Sequence, residues 1–237
     1  MNRGFSLMEM AIVLAIVGLL LGGLMPTLSA QMESRRINET RGQMNDIRDA
    51  LTGFAIIKGR LPCPADGTTA AGDELVTGSG VAAVCTLTKG VLPWGTLGTS
   101  ETDAWGRRFT YRVSHGVSSN FADGADGTGS ASCSITAGVS FQLCSIATLE
   151  VRSASSGGTI VAANVPAVVV SHGEDGLGAY PSGGGAQIGT ATGDEEENAD
   201  DNNTFVSKDH STDFDDLLIW ISPNTLVNRM VTAGKLP

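Results

Sequence analysis

The chain has 237 residues, a net charge of −10 and 41% hydrophobic content, which is enough for a globular body with its own core. The charge is uneven, because the stretch from Leu61 to Pro237 holds eight basic and twenty acidic residues. Such a body is repelled by nucleic acid phosphate and by anionic lipid. The composition therefore argues against a nucleic-acid-binding protein, and no nucleic acid partner is expected.

The first predicted element is an apolar helix at the start of the chain. Sixteen residues from Met10 to Met25 carry no charged or polar side chain, and with Phe5 to Glu9 the segment has 21 residues. At about 1.5 Å per residue this length is enough to cross a hydrocarbon core of about 30 Å. The sequence therefore predicts a helix that is transmembrane to about residue 28.

The order of the segments distinguishes this start from a secretory signal peptide, in which the apolar run precedes the cleavage site. Here a short leader with Arg3 ends at Gly4, and the apolar run follows it. The arrangement resembles the class III signal of type IV pilins and of the pseudopilins of type II secretion. The residues that carry the resemblance are Gly4, Phe5, Ser6, Leu7, Glu9 and the apolar run.

The resemblance implies a maturation pathway. A prepilin peptidase would remove residues 1–4 and methylate the new N terminus at Phe5. The expected partners are this peptidase, other pilin or pseudopilin subunits and the inner-membrane assembly platform. Before assembly the chain would cross the inner membrane once, with its C-terminal domain in the periplasm. After assembly the filament would lie in the periplasm or at the cell surface, with this chain as a minor pilin or pseudopilin.

One carboxylate, Glu9, interrupts the apolar run. A carboxylate inside an apolar span costs about 2.5–3.5 kcal/mol on insertion scales, so it requires a partner. The predicted partner is the N terminus at Phe5 of a neighbouring subunit, and the resemblance implies the same pairing during filament assembly. The alternative is that Glu9 lies near the lipid headgroups and reaches them by snorkelling.

The apolar helix is predicted to continue as an amphipathic helix to about Lys58, with Gly59 as its end. Pro26 and the glycines before it predict a bend or a local break. The stripe that would face the body consists of residues at three- and four-residue steps, namely Thr40, Met44, Ile47, Leu51 and Phe54.

The rest of the chain is predicted to be mostly antiparallel β-structure. Phe109, Tyr111 and Val113 alternate with polar residues, which predicts a half-buried strand with its apolar side toward the helix. The run Pro166–Val170 predicts a central strand. Further strands are expected at 139–143 and 149–151, and a closing strand with tryptophan at Leu217–Ile221 precedes a short C-terminal helix.

Asp103 to Tyr111 also resembles the Asp-Pro-Trp-Gly and tyrosine motif of major pseudopilins, with Ala104 in the proline position. The predicted fold class is α+β and pilin-like, a long N-terminal helix packed on an antiparallel β-sheet with long loops. The predicted organisation is a leader at 1–4, a helix at 5–58 and a β-rich periplasmic or extracellular globular domain at 59–237.

Acidic loops follow the predicted central strand. Major pseudopilins carry a calcium-binding loop in a similar place, and by that resemblance five residues would supply hard oxygen ligands. The competing interpretation is a solvated acidic insertion without a ligand. No cofactor is required by the sequence, and calcium is the one that it suggests, with the candidate ligands Glu174, Asp175, Asp213, Asp215 and Asp216.

The four cysteines are even in number and lie in the part that would be exported, where disulfides form. Three pairings exist. We favour Cys63 with Cys85 and Cys133 with Cys144, because each pair closes a local loop around a glycine-rich segment. The spacing fits neither a zinc site nor a redox motif.

Little in the sequence supports catalysis, so no catalytic residue is assigned. His172, beside Ser171 and Glu174, is the only enzyme-like cluster, and it is interpreted as an exposed loop histidine. Two other classes stay open beside the filament subunit. One is a calcium-dependent adhesin or tip subunit, and the other is a membrane-anchored periplasmic enzyme or binding protein.

Overall fold

The computed structural model describes residues 6–115, 120–124 and 138–236. The chain divides into two compact units, Met1–Glu39 and Thr40–Pro237. The helices are α1 (Leu7–Lys58), α2 (Trp94–Leu97), α3 (Asp194–Ala199) and α4 (Pro223–Thr232). The strands are β1 (Val76–Thr77), β2 (Val84–Cys85), β3 (Lys89–Val91), β4 (Arg107–Arg108), β5 (Thr110–Val113), β6 (Leu149–Arg152), β7 (Ile160–Val165), β8 (Ala167–Ser171), β9 (Tyr180–Pro181), β10 (Thr204–Val206) and β11 (Leu217–Trp220).

The first unit consists of the first part of α1. The helix continues through Pro26, so the local break predicted there is wrong; a proline removes one backbone hydrogen bond, which a helix of 52 residues tolerates. The transmembrane helix predicted to about residue 28 is not found, since over the described residues no helix is both long and apolar enough to cross a membrane.

The second part of α1 belongs to the second unit and buries one face in it. The buried stripe agrees with the prediction at four positions, and Phe54 is half-buried instead, with the Arg60 guanidinium 5.4 Å from its ring centroid. Gly59 ends the helix with φ +74°, which favours glycine. The buried positions of α1 are Thr40, Met44, Ile47, Leu51 and Ala55.

A four-stranded antiparallel sheet lies against this face, in the order β11-β8-β5-β3. The predicted central strand is β8, and all five of its residues are buried. Side chains alternate between the two faces of a strand. Ala167 and Val169 accordingly pack in the core that contains α1, whereas Val168 and Val170 pack in a second core.

The second core lies between β8 and a three-stranded sheet in the order β10-β6-β7. Its buried members include Leu149, Val151 and Phe205. In this sheet β10 runs parallel to β6, whereas the other strand pairs of the described residues are antiparallel, so the prediction of a mostly antiparallel body is confirmed. The second unit therefore has three layers, which are the helix, the four-stranded sheet and the three-stranded sheet.

The polar residues of β4 and β5 are not exposed to solvent. The sequence predicted polar residues facing solvent, but Arg108, Thr110 and Arg112 are all buried. Arg108 donates to Glu101 Oε1 at 2.9 Å and lies 4.3 Å from the Trp94 ring centroid. Arg112 lies in β5, which is buried on both faces, and donates to Asn203 Oδ1 at 2.8 Å. Since a buried guanidinium must be paired, these partners allow β4 and β5 to carry buried arginines.

Other predictions have mixed outcomes. Residues 139–143 are not a strand, although Val139 and Phe141 are buried and the Phe141 ring stacks on Phe121 at 4.9 Å. The C-terminal helix is present as α4, with Leu226 and Met230 buried.

The structure contains the disulfide Cys63–Cys85, which joins the segment after α1 to β2. Cys144 is also disulfide-bonded. Cys133 lies outside the described residues, so its pairing with Cys144 stays a prediction.

Asp103, in the segment that resembles the pseudopilin motif, fixes the turn before β4. One of its oxygens accepts the N–H groups of Trp105 and Arg107, both at 3.0 Å, and the other accepts the Ser171 hydroxyl at 2.6 Å. The N–H of Ala104 donates to Thr40 Oγ1 at 3.2 Å. A proline at position 104 would lack that donor, so the departure from the motif supplies a contact to α1.

Candidate functional site

Three carboxylates, those of Asp175, Glu195 and Asp215, meet at one place in the second unit. Their ligand oxygens all lie within 4.8 Å of one another. Asp175 is exposed, Asp215 is half-buried and Glu195 is only 7% exposed. We call these three residues the carboxylate cluster. Like charges at this spacing repel one another, so the arrangement requires groups that hold it.

Backbone N–H groups fix one oxygen of each carboxylate. Asp215 N–H donates to Glu195 Oε1, Asp175 N–H donates to Asp215 Oδ2, and Leu177 N–H donates to Asp175 Oδ1, each at 2.9 Å. Glu195 lies in the first turn of α3, Asp175 in the turn after β8 and Asp215 just before β11. Three separate elements thus contribute one carboxylate each.

The short helix α3 is held by contacts at its other end. Asn198 is completely buried, donates to Val206 O at 3.1 Å and accepts the Val206 N–H at 2.9 Å. Lys89 donates to the carbonyl of Ala199 at 2.7 Å. These contacts fix the position of Glu195 through the helix that carries it.

Two carboxylates of the cluster, those of Glu195 and Asp215, have raised pKa values. Burial raises the pKa of Glu195 from 4.5 to about 7, and repulsion by Asp216, Asp175 and Asp215 adds to the shift. Burial also raises the pKa of Asp215, again with repulsion from neighbouring carboxylates. A cation among these oxygens would stabilise their charged forms and so oppose both shifts.

The cluster fits a hard divalent cation such as calcium. Two oxygens on opposite sides of a calcium ion lie about 4.6–5.2 Å apart, which agrees with a spacing within 4.8 Å. The donors are all oxygens, as calcium prefers. Asp215 Oδ1 is buried without a hydrogen-bond partner among the described residues, so a ligand bond is available to it.

Two of the five ligands predicted from sequence, Asp175 and Asp215, belong to the cluster. Glu174 and Asp213 line the same cavity, of ≈ 860 Å³, without joining the cluster. Glu195 was not among the predicted ligands, because the calcium loop of major pseudopilins is shorter and its ligands have no clear counterparts across residues 183–203. The signal that was available is the glycine at 193 followed by acidic residues, which is compatible with a helix start.

Asp216, the fifth predicted ligand, lies in a different buried group. Its Oδ2 accepts from Asn198 at 2.7 Å, and its Oδ1 is 3.5 Å from His172 Nδ1. Thr110 Oγ1 lies 2.8 Å from His172 Nε2. The exposed loop position predicted for His172 is wrong, since the residue is completely buried. Threonine, histidine and aspartate in a row have the order of a catalytic triad, but at 0–5% exposure they meet no dissolved substrate in this conformation.

At the N-terminal site, Gly4 and Phe5 lie outside the described residues. Glu9 is exposed, and its Oε2 accepts the N–H of Ser6 at 2.9 Å. Met8 N–H in turn donates to Ser6 Oγ at 3.3 Å. This reciprocal pair is a capping box, which satisfies donors at the start of α1. Glu9 therefore has a partner within its own chain.

Comparison with known protein families identifies the N-terminal segment. Residues 1–25 match the model of the prokaryotic N-terminal methylation motif. The chain carries a type IV pilin-like prepilin signal. No curated protein and no solved structure matches the chain. The methylation motif contains Gly4, Phe5 and Glu9, and the resemblance found in the sequence is confirmed for this segment.

The raised pKa of Glu195 predicts that stability falls with rising pH when no cation is bound. The folded state retains this proton up to about pH 7, whereas the unfolded state loses it near pH 4.5, so the stabilisation is lost as pH rises through 7. Each pKa unit corresponds to about 1.4 kcal/mol, and solvent screening reduces the total to about 1–2 kcal/mol. Urea unfolding in chelator between pH 4.5 and 8 measures this loss.

Glu195→Gln should remove most of that pH dependence and make the protein more stable than wild type at pH 8 in chelator. The amide oxygen can still accept the Asp215 N–H, so the fold is retained. The control is Glu196→Gln, which changes the adjacent, exposed residue of α3. Identical pH profiles for Glu195→Gln and wild type would contradict the interpretation.

Proposed function

We propose that the chain is a structural subunit, a minor pilin or pseudopilin, of a type IV pilus or a type II secretion filament. The observation that carries the proposal is the match of residues 1–25 to the methylation motif. A motif of this kind belongs to subunits that assemble, which favours a structural role over an enzymatic one. The row of Thr110, His172 and Asp216 is buried and therefore gives little support to a catalytic alternative.

Maturation follows from the motif. Prepilin peptidase removes residues 1–4 and methylates Phe5, and the mature chain begins with α1. The apolar run from Met10 to Met25 continues past the side chains that the structure describes, and in this proposal the whole run holds the subunit in the inner membrane, with residues 59–237 in the periplasm. The assembly platform then moves the subunit into a filament of like subunits, in the periplasm or at the cell surface.

Glu9 changes its partner during assembly in this proposal. In the isolated chain it accepts the N–H of Ser6 within the capping box. The capping contact satisfies one oxygen and leaves the negative charge unpaired. In the apolar interior of a filament an unpaired charge is costly, and the positive N terminus of a neighbouring subunit would neutralise it. The capping box thus keeps the carboxylate oriented until that neighbour arrives.

Glu9→Gln tests this role. The amide oxygen retains the contact to Ser6, so we expect normal cleavage after Gly4 and normal membrane retention. Loss of a charge pair worth more than about 1.4 kcal/mol should lower incorporation into filaments by about tenfold or more. The measurement is the ratio of the chain in the sheared filament fraction to the chain in membranes of the native host. Glu39→Gln, which changes an exposed carboxylate of the same helix, is the control. If Glu9→Gln is incorporated into filaments as well as wild type, the role assigned to Glu9 is wrong.

Calcium at the carboxylate cluster is a second proposal, favoured by the spacing of Asp175, Glu195 and Asp215. The ion would join the turn after β8, helix α3 and the start of β11. Without the ion, the carboxylates on these three elements repel one another. A bound ion would therefore stabilise this region. A calcium-dependent adhesin or tip subunit is the alternative role that such a site supports, and it would be present at a substoichiometric level in the filament.

Calcium should raise the melting temperature of the full-length chain at pH 7.5. At a free concentration of about 100 times the dissociation constant the gain in stability is about 2.7 kcal/mol. Asp215→Asn should abolish the calcium effect while its side-chain oxygen retains the Asp175 N–H. Glu174→Gln is the matched control, because Glu174 lines the cavity outside the cluster. Equal calcium shifts for wild type and Asp215→Asn would refute the site.

A further inference from the structure

One edge of the four-stranded sheet has no strand beside it among the described residues. β11 is the end strand of that sheet. Ile221 N–H donates to the Ala167 carbonyl, and Ile219 pairs with Val169 in the same register. Alternate residues of an antiparallel strand bond to opposite sides. The N–H and C=O groups of Leu218 and Trp220 therefore point away from β8, and within the described part of the chain they have no backbone partner.

This edge forms the floor of a groove. Two cavities of ≈ 610 and ≈ 740 Å³ share Leu218 and Ile219 in their linings. The wall opposite is α1, from Arg41 to Ile56, which corresponds to a length of about 22 Å. An extended segment of six residues is about 20 Å long, so it matches the groove.

A glycine in the wall leaves room for an occupant. Gly53 lies in the interior of α1 and lines the larger cavity. A Cβ atom at this position would meet nothing within 4 Å. Glycine in a helix costs about 1 kcal/mol relative to alanine, and no contact within the described part of the chain explains its presence here. Basic and acidic residues are nearly balanced in the lining, so the groove does not select a charged segment.

Among the described residues, β7 is a second strand with no neighbour along one edge. This strand ends the order β10-β6-β7, and its Ile160 and Val161 are 56% and 49% exposed. Proteins usually protect such edges with charges or proline. β7 contains neither, and no charged residue occurs from Ser153 to Ser171 in a chain with a net charge of −10. β7 has six uncharged residues, of which four are exposed and Val165 is buried, so its length matches the groove. Its register with β6 is irregular, and Asn164 near its end has φ +56°.

We propose that β7 of one copy pairs with the β11 edge of a second copy, in the groove between β11 and α1. The contact joins two different surfaces, so each subunit retains one free surface of each kind. A contact of this type is heterologous and open-ended, and it produces a filament rather than a closed dimer. The inference rests on the proposed function, because it supplies a contact between the globular bodies of adjacent subunits.

Photo-crosslinking of the full-length chain in detergent tests the pairing without any filament machinery. Thr52→p-benzoylphenylalanine places the probe on the α1 wall. In a mixture of nitrogen-14 and nitrogen-15 protein, the expected crosslinks join different copies and map to residues 159–165. Absent crosslinks, crosslinks within one copy or crosslinks to another segment would overturn the pairing. The Glu9 experiment in cells is independent of this result, so the two proposals can fail separately.

Val161→Lys should lower the yield of these crosslinks by about tenfold or more, because it places a charge on the β7 edge. Val84→Lys is the control, since Val84 is 47% exposed on another strand, β2. Both variants change exposed positions and should melt as wild type does. A Val161→Lys variant that melts normally and retains the full crosslink yield would overturn the proposal.

Discussion

Packing of the second part of α1 against the four-stranded sheet is the interaction on which the rest of the body depends. Ile47 and Leu51 are completely buried in the core that also contains Tyr111 and Val169. Once the helix covers one face of β8, the other face still carries Val168 and requires a cover. The three-stranded sheet supplies that cover. The layered arrangement follows from one strand that is apolar on both faces.

The third layer also explains the polar chemistry of the body. On the face of β5 that this layer covers, Arg112 is buried and donates to Asn203 Oδ1 at 2.8 Å. Thr110, on the same face, has its Oγ1 2.8 Å from His172 Nε2. At the margin of this layer, α3 brings Glu195 to Asp175 and Asp215. The carboxylate cluster therefore depends on the same layers, because Glu195 and Asp215 reach Asp175 only when α3 and β11 are packed on the body.

The sequence was sufficient for the elements that depend on local pattern and insufficient for those that depend on contacts between distant segments. The end of α1 at Lys58 and the central strand β8 follow from periodicity and from a glycine at the right place. Nothing local identifies β7 as a strand or Glu195 as buried. Whether an acidic run is solvated or folded into a helix is decided by a residue such as Asn198, whose partner Asp216 is 18 residues away.

The central claim is that this chain enters a filament after processing at its N terminus. The methylation motif supports the claim through residues 1–25, and the capping box at Glu9 gives the same segment a defined start once the leader is gone. The most direct test is the mass of the N-terminal peptide of the protein purified from its native host. The account predicts a peptide that begins at Phe5 with one added methyl group. An intact Met1, or a first residue beyond Met25, would contradict it.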